Sequence, residues 1–115
     1  MKFTDWVSWP ETTAAPALPG IFQVKIRTGL ITYPAGKSAM FYYGFASPLD
    51  TGLQTFRARI LPELGKDEET LVVRWLTPPE TKDRFKQYLD KFYINFGSLP
   101  AGNEIQLNLG VQTTK

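Results

Sequence analysis

Residues 20–47, GIFQVKIRTGLITYPAGKSAMFYYGFAS, carry the strongest β-sheet signal of the chain. Over residues 21–27 apolar and polar side chains alternate, which is the pattern of a strand with one face on the core. A second strand-like run, residues 39–45, is rich in aromatic residues. The turn residues at 34–37, PAGK, separate the two runs. The stretch therefore predicts two strands joined by a connection that contains a turn.

Composition narrows the chemistry open to the chain. It has 115 residues, enough for one domain with its own core, and it contains no cysteine and no histidine. Disulfides and thiolate metal sites are therefore excluded, and so is catalysis by a histidine base. Any chemistry has to use tyrosine, lysine, serine, threonine or carboxylate side chains. The formal charge of +2 permits nucleic-acid binding but does not require it.

The sequence predicts a cytoplasmic protein that does not bind membranes. No apolar run approaches the length of a membrane span, and the first residues lack the apolar core of a signal peptide. Residues 1–19 contain Phe3, Trp6 and Trp9 and then a segment rich in alanine and proline. This pattern predicts an arm that packs on a single domain formed by residues 20–115. Stacking of the two tryptophans on bases is the functional alternative.

Two helices are predicted after the paired strands. Ser47 as N-cap and Pro48 at the first helical position begin the first helix, and Pro62 ends it. Residues 77–80, TPPE, match a capping box and begin the second helix, which residues 95–97 end. Apolar residues recur at helical spacing in both, namely Leu49, Leu53, Phe56 and Ile60 in the first helix and Phe85, Leu89 and Phe92 in the second.

Two further strands complete the predicted fold. Residues 70–76, TLVVRWL, form a continuous apolar run with one arginine, which is typical of a central strand. Residues 104–111 alternate in polarity and predict a last strand. The predicted class is α+β, a small antiparallel or mixed sheet flanked by two helices in the order β-β-α-β-α-β.

The Gly-Ile-Phe of residues 20–22 and the Tyr-Tyr-Gly of residues 42–44 resemble the two short motifs of the GIY-YIG nuclease superfamily. The resemblance extends over about residues 19–103. It implies a compact ββαβα domain that binds nucleic acid and cleaves its phosphodiester bonds with one divalent metal ion, Mg²⁺ or Mn²⁺.

The resemblance also assigns roles to single residues. It places Phe22 and Tyr42 at the first and second motif tyrosines, one of which helps to deprotonate the attacking water, and Arg57 near the arginine of the first helix. Phe22 lacks the hydroxyl of the first motif tyrosine. Lys86 stands at the position of the metal-binding glutamate, and a lysine cannot ligate Mg²⁺. The resemblance therefore implies a nucleic-acid-binding scaffold whose nuclease chemistry is degraded or lost.

An active metal-dependent endonuclease with relocated ligands is the first alternative. Tyr42, Arg57 and Glu80 are the candidates for such a site, in which the carboxylate of Glu80 would hold the metal. Asn103 is the counterpart of the asparagine that completes the family's set of functional residues.

Basic residues predict where nucleic acid would bind. Lys25 and Arg27 lie on the polar side of the first strand and Lys37 lies in the turn, next to Tyr43. If exposed, these side chains would contact phosphates by charge and bases by stacking. Arg59 lies off the apolar stripe of the first helix and would grip a phosphate with its guanidinium. The expected partner is DNA.

A protein-interaction or structural domain is the second alternative. In that case an aromatic surface of Trp6, Trp9 and Phe96 would contact a partner chain. Steep salt dependence of DNA binding would favour the nucleic-acid hypotheses, because released counterions drive such binding. Loss of cleavage in EDTA would single out the endonuclease.

Overall fold

The chain forms an α+β structure in which a small antiparallel sheet packs against helices. The computed structural model describes residues 2–113, and the side chains of residues 2–108. Its main sheet has the order β4-β1-β5, formed by β1 (Gly20–Ile26), β4 (Met40–Ala46) and β5 (Leu71–Leu76). The helices are α1 (Leu49–Thr55), α2 (Leu61–Glu63), α3 (Thr81–Phe96) and α4 (Ala101–Thr113). The predicted class is confirmed.

The two strands predicted from residues 20–47 are present and pair antiparallel, with Phe22 opposite Gly44. The connection between them folds into a second, two-stranded sheet of β2 (Ile31–Tyr33) and β3 (Gly36–Ser38). The predicted turn falls within this hairpin. Strands of three residues are too short to show a period of two, so the sequence pattern did not predict them.

β5 is an edge strand, and the prediction of a central strand at residues 70–76 is wrong. β1 is the central strand, since it pairs with β4 on one side and β5 on the other. The N-terminal arm runs along the outer edge of β5. The Thr4 backbone N–H donates to the Trp75 carbonyl at 2.9 Å, and Val7 exchanges two such bonds with Val73, each of 2.9 Å. The arm satisfies the outer backbone groups of β5, and both faces of the strand are largely buried, so its sequence is as apolar as that of a central strand.

Both faces of the sheet are covered. Phe22 and Val24 lie on one face and pack in the larger apolar core with Leu53 and Phe56 of the first helix. The other face carries Gln23 and is covered by α3. Gln23 is only 2% exposed. The alternation predicted for β1 is confirmed, but its polar side does not face solvent because α3 packs over it.

The first helix starts one residue later than predicted and contains a widened turn. Its N-cap is Pro48 and not Ser47. A π-helical segment, Phe56–Ile60, joins α1 to α2, so the helical path continues past Pro62 and ends at Glu63. A proline near a helix start needs no backbone donor, and Pro62 lies at such a position in α2. The predicted stripe is confirmed at Leu49, Leu53 and Phe56, which are buried.

α3 has the predicted end but a different start. It ends at Gly97, whose φ of 80° is the left-handed conformation that glycine adopts without steric cost. It begins after Glu80, which also has a positive φ of 54°, so the predicted cap at Thr77 is wrong. The Thr81 hydroxyl instead donates to the Pro78 carbonyl at 3.0 Å.

The strand predicted at residues 104–111 is helical, since these residues belong to α4. The alternation misled because it does not mark a buried face: Ile105 is 38% and Leu107 is 52% exposed. A further strand would also need a free sheet edge, and the side chain of Asn103 occupies the outer edge of β4 at Tyr43. Among residues 2–113, no helix combines the length and the hydropathy needed to cross a membrane.

Candidate nucleic-acid interface

Tyr42, the predicted catalytic tyrosine, is a core residue. It is 6% exposed, and its ring lies 4.6 Å from that of Phe56 and 5.8 Å from that of Phe22, between centroids. Its hydroxyl donates to Oε1 of Gln106 in α4 at 2.6 Å. Burial raises the pKa of Tyr42 to about 12, and the hydrogen bond to Gln106 offsets only part of that rise. The hydroxyl therefore stays protonated at neutral pH, which does not suit a base.

The second catalytic candidate lies elsewhere. Arg57 donates from Nε and Nη2 to the two carboxylate oxygens of Glu68, both at 2.8 Å. It lines a shallow cleft with Leu61 and the loop around residues 65–68, whereas Tyr42 lines a different cleft. The structure does not bring Tyr42 and Arg57 together. Arg59 is exposed on the π-helical segment.

The metal-binding candidate is separate again. Glu80 precedes α3 and lines a cleft with Phe45, Lys82 and Asp83. The cleft beside Tyr42 is lined by no aspartate and no glutamate. Within residues 2–113, no three aspartates or glutamates converge as ligands would. Because Mg²⁺ and Mn²⁺ prefer carboxylate oxygens, the residues around Tyr42 do not fit such an ion.

Asn103 closes the outer edge of β4. Its Oδ1 accepts from the Tyr43 backbone N–H at 2.9 Å, and its Nδ2 donates to the Tyr43 carbonyl at 2.8 Å. The side-chain amide thus continues the hydrogen-bond ladder where a neighbouring strand would otherwise stand. The position that resemblance assigned to the nuclease site is used here to dock α4 on the sheet.

Tyr43 is also not the exposed stacking platform that the sequence predicted. It is 8% exposed, and its ring meets Phe92 of α3 edge-on, with centroids 5.5 Å apart. Burial raises the pKa of Tyr43 to about 12, and the nearby charge of Arg74 lowers it by a smaller amount. A base cannot stack on this ring because α3 already covers it.

The basic residues predicted near β1 separate in the structure. Arg27 donates from Nε to the Glu69 carbonyl at 2.8 Å and from Nη2 to the Ser8 hydroxyl at 2.9 Å, so it ties the arm to a loop. Lys37 is exposed on the small sheet. Lys25 alone of the three lies against aromatic rings, with Nζ 4.5 Å from the ring centre of Trp6.

Lys25 belongs to a stack that the sequence analysis missed. The guanidinium carbon of Arg74 lies 4.5 Å from the ring centre of Phe3 and 4.4 Å from that of Trp6. The ring of Phe3 in turn meets Tyr88 of α3 at 5.6 Å, edge-on. Two of the three aromatic residues of the arm, Phe3 and Trp6, therefore cover the cation of β5. The available signal was the single arginine within the apolar run TLVVRWL.

Arg74 opens onto a cleft between the sheet and α3, which we call the Arg74 cleft. Its volume is about 230 Å³. The polar residues that line it are Gln23, Tyr43, Arg74, Tyr88, Lys91 and Asn95. Two of these are cations, and no carboxylate lines the cleft. The cleft therefore has a positive potential.

The guanidinium is held in a fixed orientation. Its Nε donates to Oε1 of the buried Gln23 at 2.8 Å. Among the described backbone of residues 2–113 and the described side chains of residues 2–108, its two terminal nitrogens have no hydrogen-bond partner, and no aspartate or glutamate forms an ion pair with it. Burial lowers the pKa of Arg74, and the nearby tyrosines offset this effect only in part. An arginine remains charged after such a shift, so a half-buried cation faces the cleft without a counter-charge.

The proposed aromatic surface does not form. Trp9 is 1% exposed and stacks on Phe56, with ring centres 5.6 Å apart, so it cannot contact a partner chain. Phe96 packs on Phe92 and Tyr33 in the smaller core. Trp9 instead packs in the larger apolar core of the domain.

Comparisons with protein-family models, with curated proteins and with solved structures find no match to this chain. Its function therefore has to be inferred from the site itself.

Proposed function

We propose that this domain binds nucleic acid without cleaving it, and that the Arg74 cleft is the phosphate-binding site. One observation carries the proposal: the half-buried Arg74 faces a cleft that contains no carboxylate. Removing a charge from water costs free energy unless the charge is paired. A bound phosphate would supply the missing anion and accept from the terminal guanidinium nitrogens.

The surroundings of Arg74 suit a polyanion. Lys91 lines the same cleft, and Nζ of Lys25 lies 4.5 Å from the centre of the Trp6 ring that also contacts Arg74. Arginine and lysine side chains that neutralise phosphates supply most of the affinity of non-specific nucleic-acid binding. Aromatic rings packed around the cleft, of which Tyr43 and Phe92 are buried, lower the local dielectric constant and so strengthen each charged contact.

The resemblance to GIY-YIG nucleases supports binding more than catalysis. The order β1, β4, α1, β5, α3 follows the ββαβα order that the resemblance implies, with the small hairpin as an insertion. Phe22 and Lys86 replace two of the groups that hydrolysis would use, and Tyr42 is buried with its hydroxyl bonded to Gln106. Such a role fits the cytoplasmic location expected from the sequence, with DNA as the first partner to test.

Fluorescence anisotropy of labelled oligonucleotides tests the proposal. Single-stranded and duplex DNA are titrated at 50 and 200 mM salt with the unaltered chain, Lys91→Gln and the matched control Lys86→Gln, which removes an exposed charge from the same helix outside the cleft. We expect binding that weakens with salt, and a larger loss for Lys91→Gln than for Lys86→Gln. Equal losses for the two variants would move the interface away from the cleft. No binding at 50 mM salt would refute the proposal and favour the protein-interaction hypothesis.

The same samples test the endonuclease alternative. They are incubated with Mg²⁺ or Mn²⁺, and the products are separated on a denaturing gel. We expect intact oligonucleotides. Cleavage that EDTA stops and Tyr42→Phe or Arg57→Ala abolishes would overturn the view that this chain binds without hydrolysis.

A further inference from the structure

We infer that the Arg74 cleft recognises a phosphate monoester, such as the terminal phosphate of a nucleic-acid strand, rather than the phosphodiesters along its backbone. The inference rests on the proposed function and names the chemical group that the site selects. Three features of the cleft lead to it: the orientation of the guanidinium, the size of the cleft and its charge.

Two aromatic rings of the arm lie against the Arg74 guanidinium. The ring centres of Phe3 and Trp6 lie 4.5 and 4.4 Å from its central carbon, so these rings occupy space that a stacking nucleobase would need. Nε is held by Gln23 at 2.8 Å. What remains is the edge that carries the two terminal nitrogens, and this edge matches two oxygens of one phosphate group. The site is therefore arranged for phosphate rather than for a base.

The cleft has room for one small group. Its volume of about 230 Å³ lies below the range of roughly 300–1,000 Å³ that is typical of sites for drug-sized ligands. Its walls are the sheet and the rings of α3, including Phe92, which is 3% exposed. A monoester enters such a cleft with one substituent pointing out. A phosphodiester would need two substituents to leave it, one in each direction.

The charge of the cleft matches a dianion. Arg74 and Lys91 supply two positive charges, and no aspartate or glutamate lines the cleft. The remaining groups that could carry charge there are the hydroxyls of Tyr43 and Tyr88, which donate hydrogen bonds when neutral. A phosphate monoester carries about −1.5 to −2 charges at pH 7, because its second pKa is near 6, whereas a phosphodiester carries one.

The test compares oligonucleotides of one sequence that end in a 5′-phosphate, a 3′-phosphate or hydroxyls only. Affinity is measured by anisotropy at pH 7.5 and pH 5.5, with inorganic phosphate and a mononucleotide as competitors. We expect a terminal phosphate to raise affinity by about tenfold or more, which is the scale of one charge-assisted hydrogen bond. We also expect this gain to shrink at pH 5.5, where the monoester takes up a proton and loses charge. The competitors distinguish a strand end from a free nucleotide as the source of the group.

Two pairs of variants locate the effect. Arg74→Lys keeps the charge but loses the paired donors, and its control Arg84→Lys makes the same change at an exposed site on α3. Because Arg74 is half-buried, Lys91→Gln is the second variant, with Lys86→Gln as control; Lys91 is exposed and its replacement does not threaten folding. We expect the preference for a phosphorylated end to fall by about tenfold in both cleft variants and in neither control.

The outcomes separate this inference from the proposed function. Salt-dependent binding that is equal for phosphorylated and hydroxyl ends would overturn the inference and leave nucleic-acid binding in place. If a labelled mononucleotide binds and the unlabelled mononucleotide displaces it, while no oligonucleotide binds, the monoester site is supported and the proposed function is overturned. A preference for phosphate ends that survives in Arg74→Lys and Lys91→Gln would place the site elsewhere and overturn the inference.

Discussion

Replacing Asn103 with alanine separates a structural role of this residue from the nucleic-acid role that the resemblance implies. The side chain makes two hydrogen bonds to the Tyr43 backbone, of 2.9 and 2.8 Å, and both connect α4 to the edge of β4. One such bond contributes about 0.5–1.5 kcal/mol net, so their joint loss should lower the free energy of unfolding by about 1–3 kcal/mol. The Tyr43 backbone N–H and carbonyl would be left without partners, which lowers the free energy of unfolding further.

Urea unfolding followed by tryptophan fluorescence measures this loss. With a slope of about 1–3 kcal/mol/M for a small protein, a loss of about 2 kcal/mol moves the midpoint by on the order of 1 M. Asn108→Ala is the control, because it makes the same change at an exposed position of α4 and gains the same helix propensity. We expect the folded Asn103→Ala chain to bind oligonucleotides with unchanged affinity.

Two results would refute the reasoning about Asn103. A midpoint within about 0.2 M of that of Asn108→Ala would mean that the two hydrogen bonds do not hold α4 on the sheet. Weakened oligonucleotide binding with unchanged stability would mean that Asn103 contacts the ligand, as the resemblance to nucleases implies.

Three further predictions concern packing, an ion pair and the core tyrosine. Gly44→Ala should destabilise the fold by about 3 kcal/mol or more in urea unfolding, because the new Cβ would lie 2.1 Å from Cζ of Phe22; a loss below about 1 kcal/mol would show that this ring moves aside. Glu68→Gln should cost less than about 1 kcal/mol at pH 7, since the pair with Arg57 is partly exposed. The hydrogen bond from Arg57 lowers the pKa of Glu68 below 4.5. The stabilisation by this pair is therefore complete above pH 4.5 and is lost as pH falls through the folded-state pKa of Glu68. A difference in stability between the unaltered chain and Glu68→Gln that persists at pH 2 would contradict this role of the ion pair. Tyr42→Phe should lower stability by about 1 kcal/mol in thermal unfolding and leave oligonucleotide affinity unchanged, because the lost hydroxyl bond joins the core to α4; reduced affinity would return Tyr42 to the binding site.

Residues 20–26 and 40–46 show which elements local sequence patterns predict. Alternation and aromatic content predicted strands at residues 21–27 and 39–45, each within one residue of β1 and β4, and the apolar spacing of residues 49–60 predicted the first helix. In these segments the local preference and the final environment agree, because one face of each element does meet the core. The predicted stop of α3 at Gly97 also holds, since a glycine in the left-handed conformation ends a helix by local geometry.

The site residues were harder to predict, because their roles depend on what packs against them. Gln23 lies on the polar side of β1, but α3 covers it, so it orients Arg74 instead of meeting solvent. Tyr43 became a core residue for the same reason. The sequence did not predict Arg74 as a site residue, because it is one arginine in an apolar strand. Its place in the site depends on the arm, which brings Phe3 and Trp6 against it from about 70 residues away in the chain.

The amino-acid sequence by itself determined the α+β class, the three long strands and the first and third helices. Each of these depends on a pattern within one segment of the chain: alternation, a run of apolar or aromatic residues, or helical spacing. Only the tertiary structure decided that β5 lies at an edge under the arm, that residues 104–111 are helical, and that a cationic cleft opens at Arg74. Those outcomes depend on which sheet edges and faces remain free once the other elements have packed. Segments far apart in the chain compete for these edges and faces, so the pattern of residues within one segment does not predict the outcome.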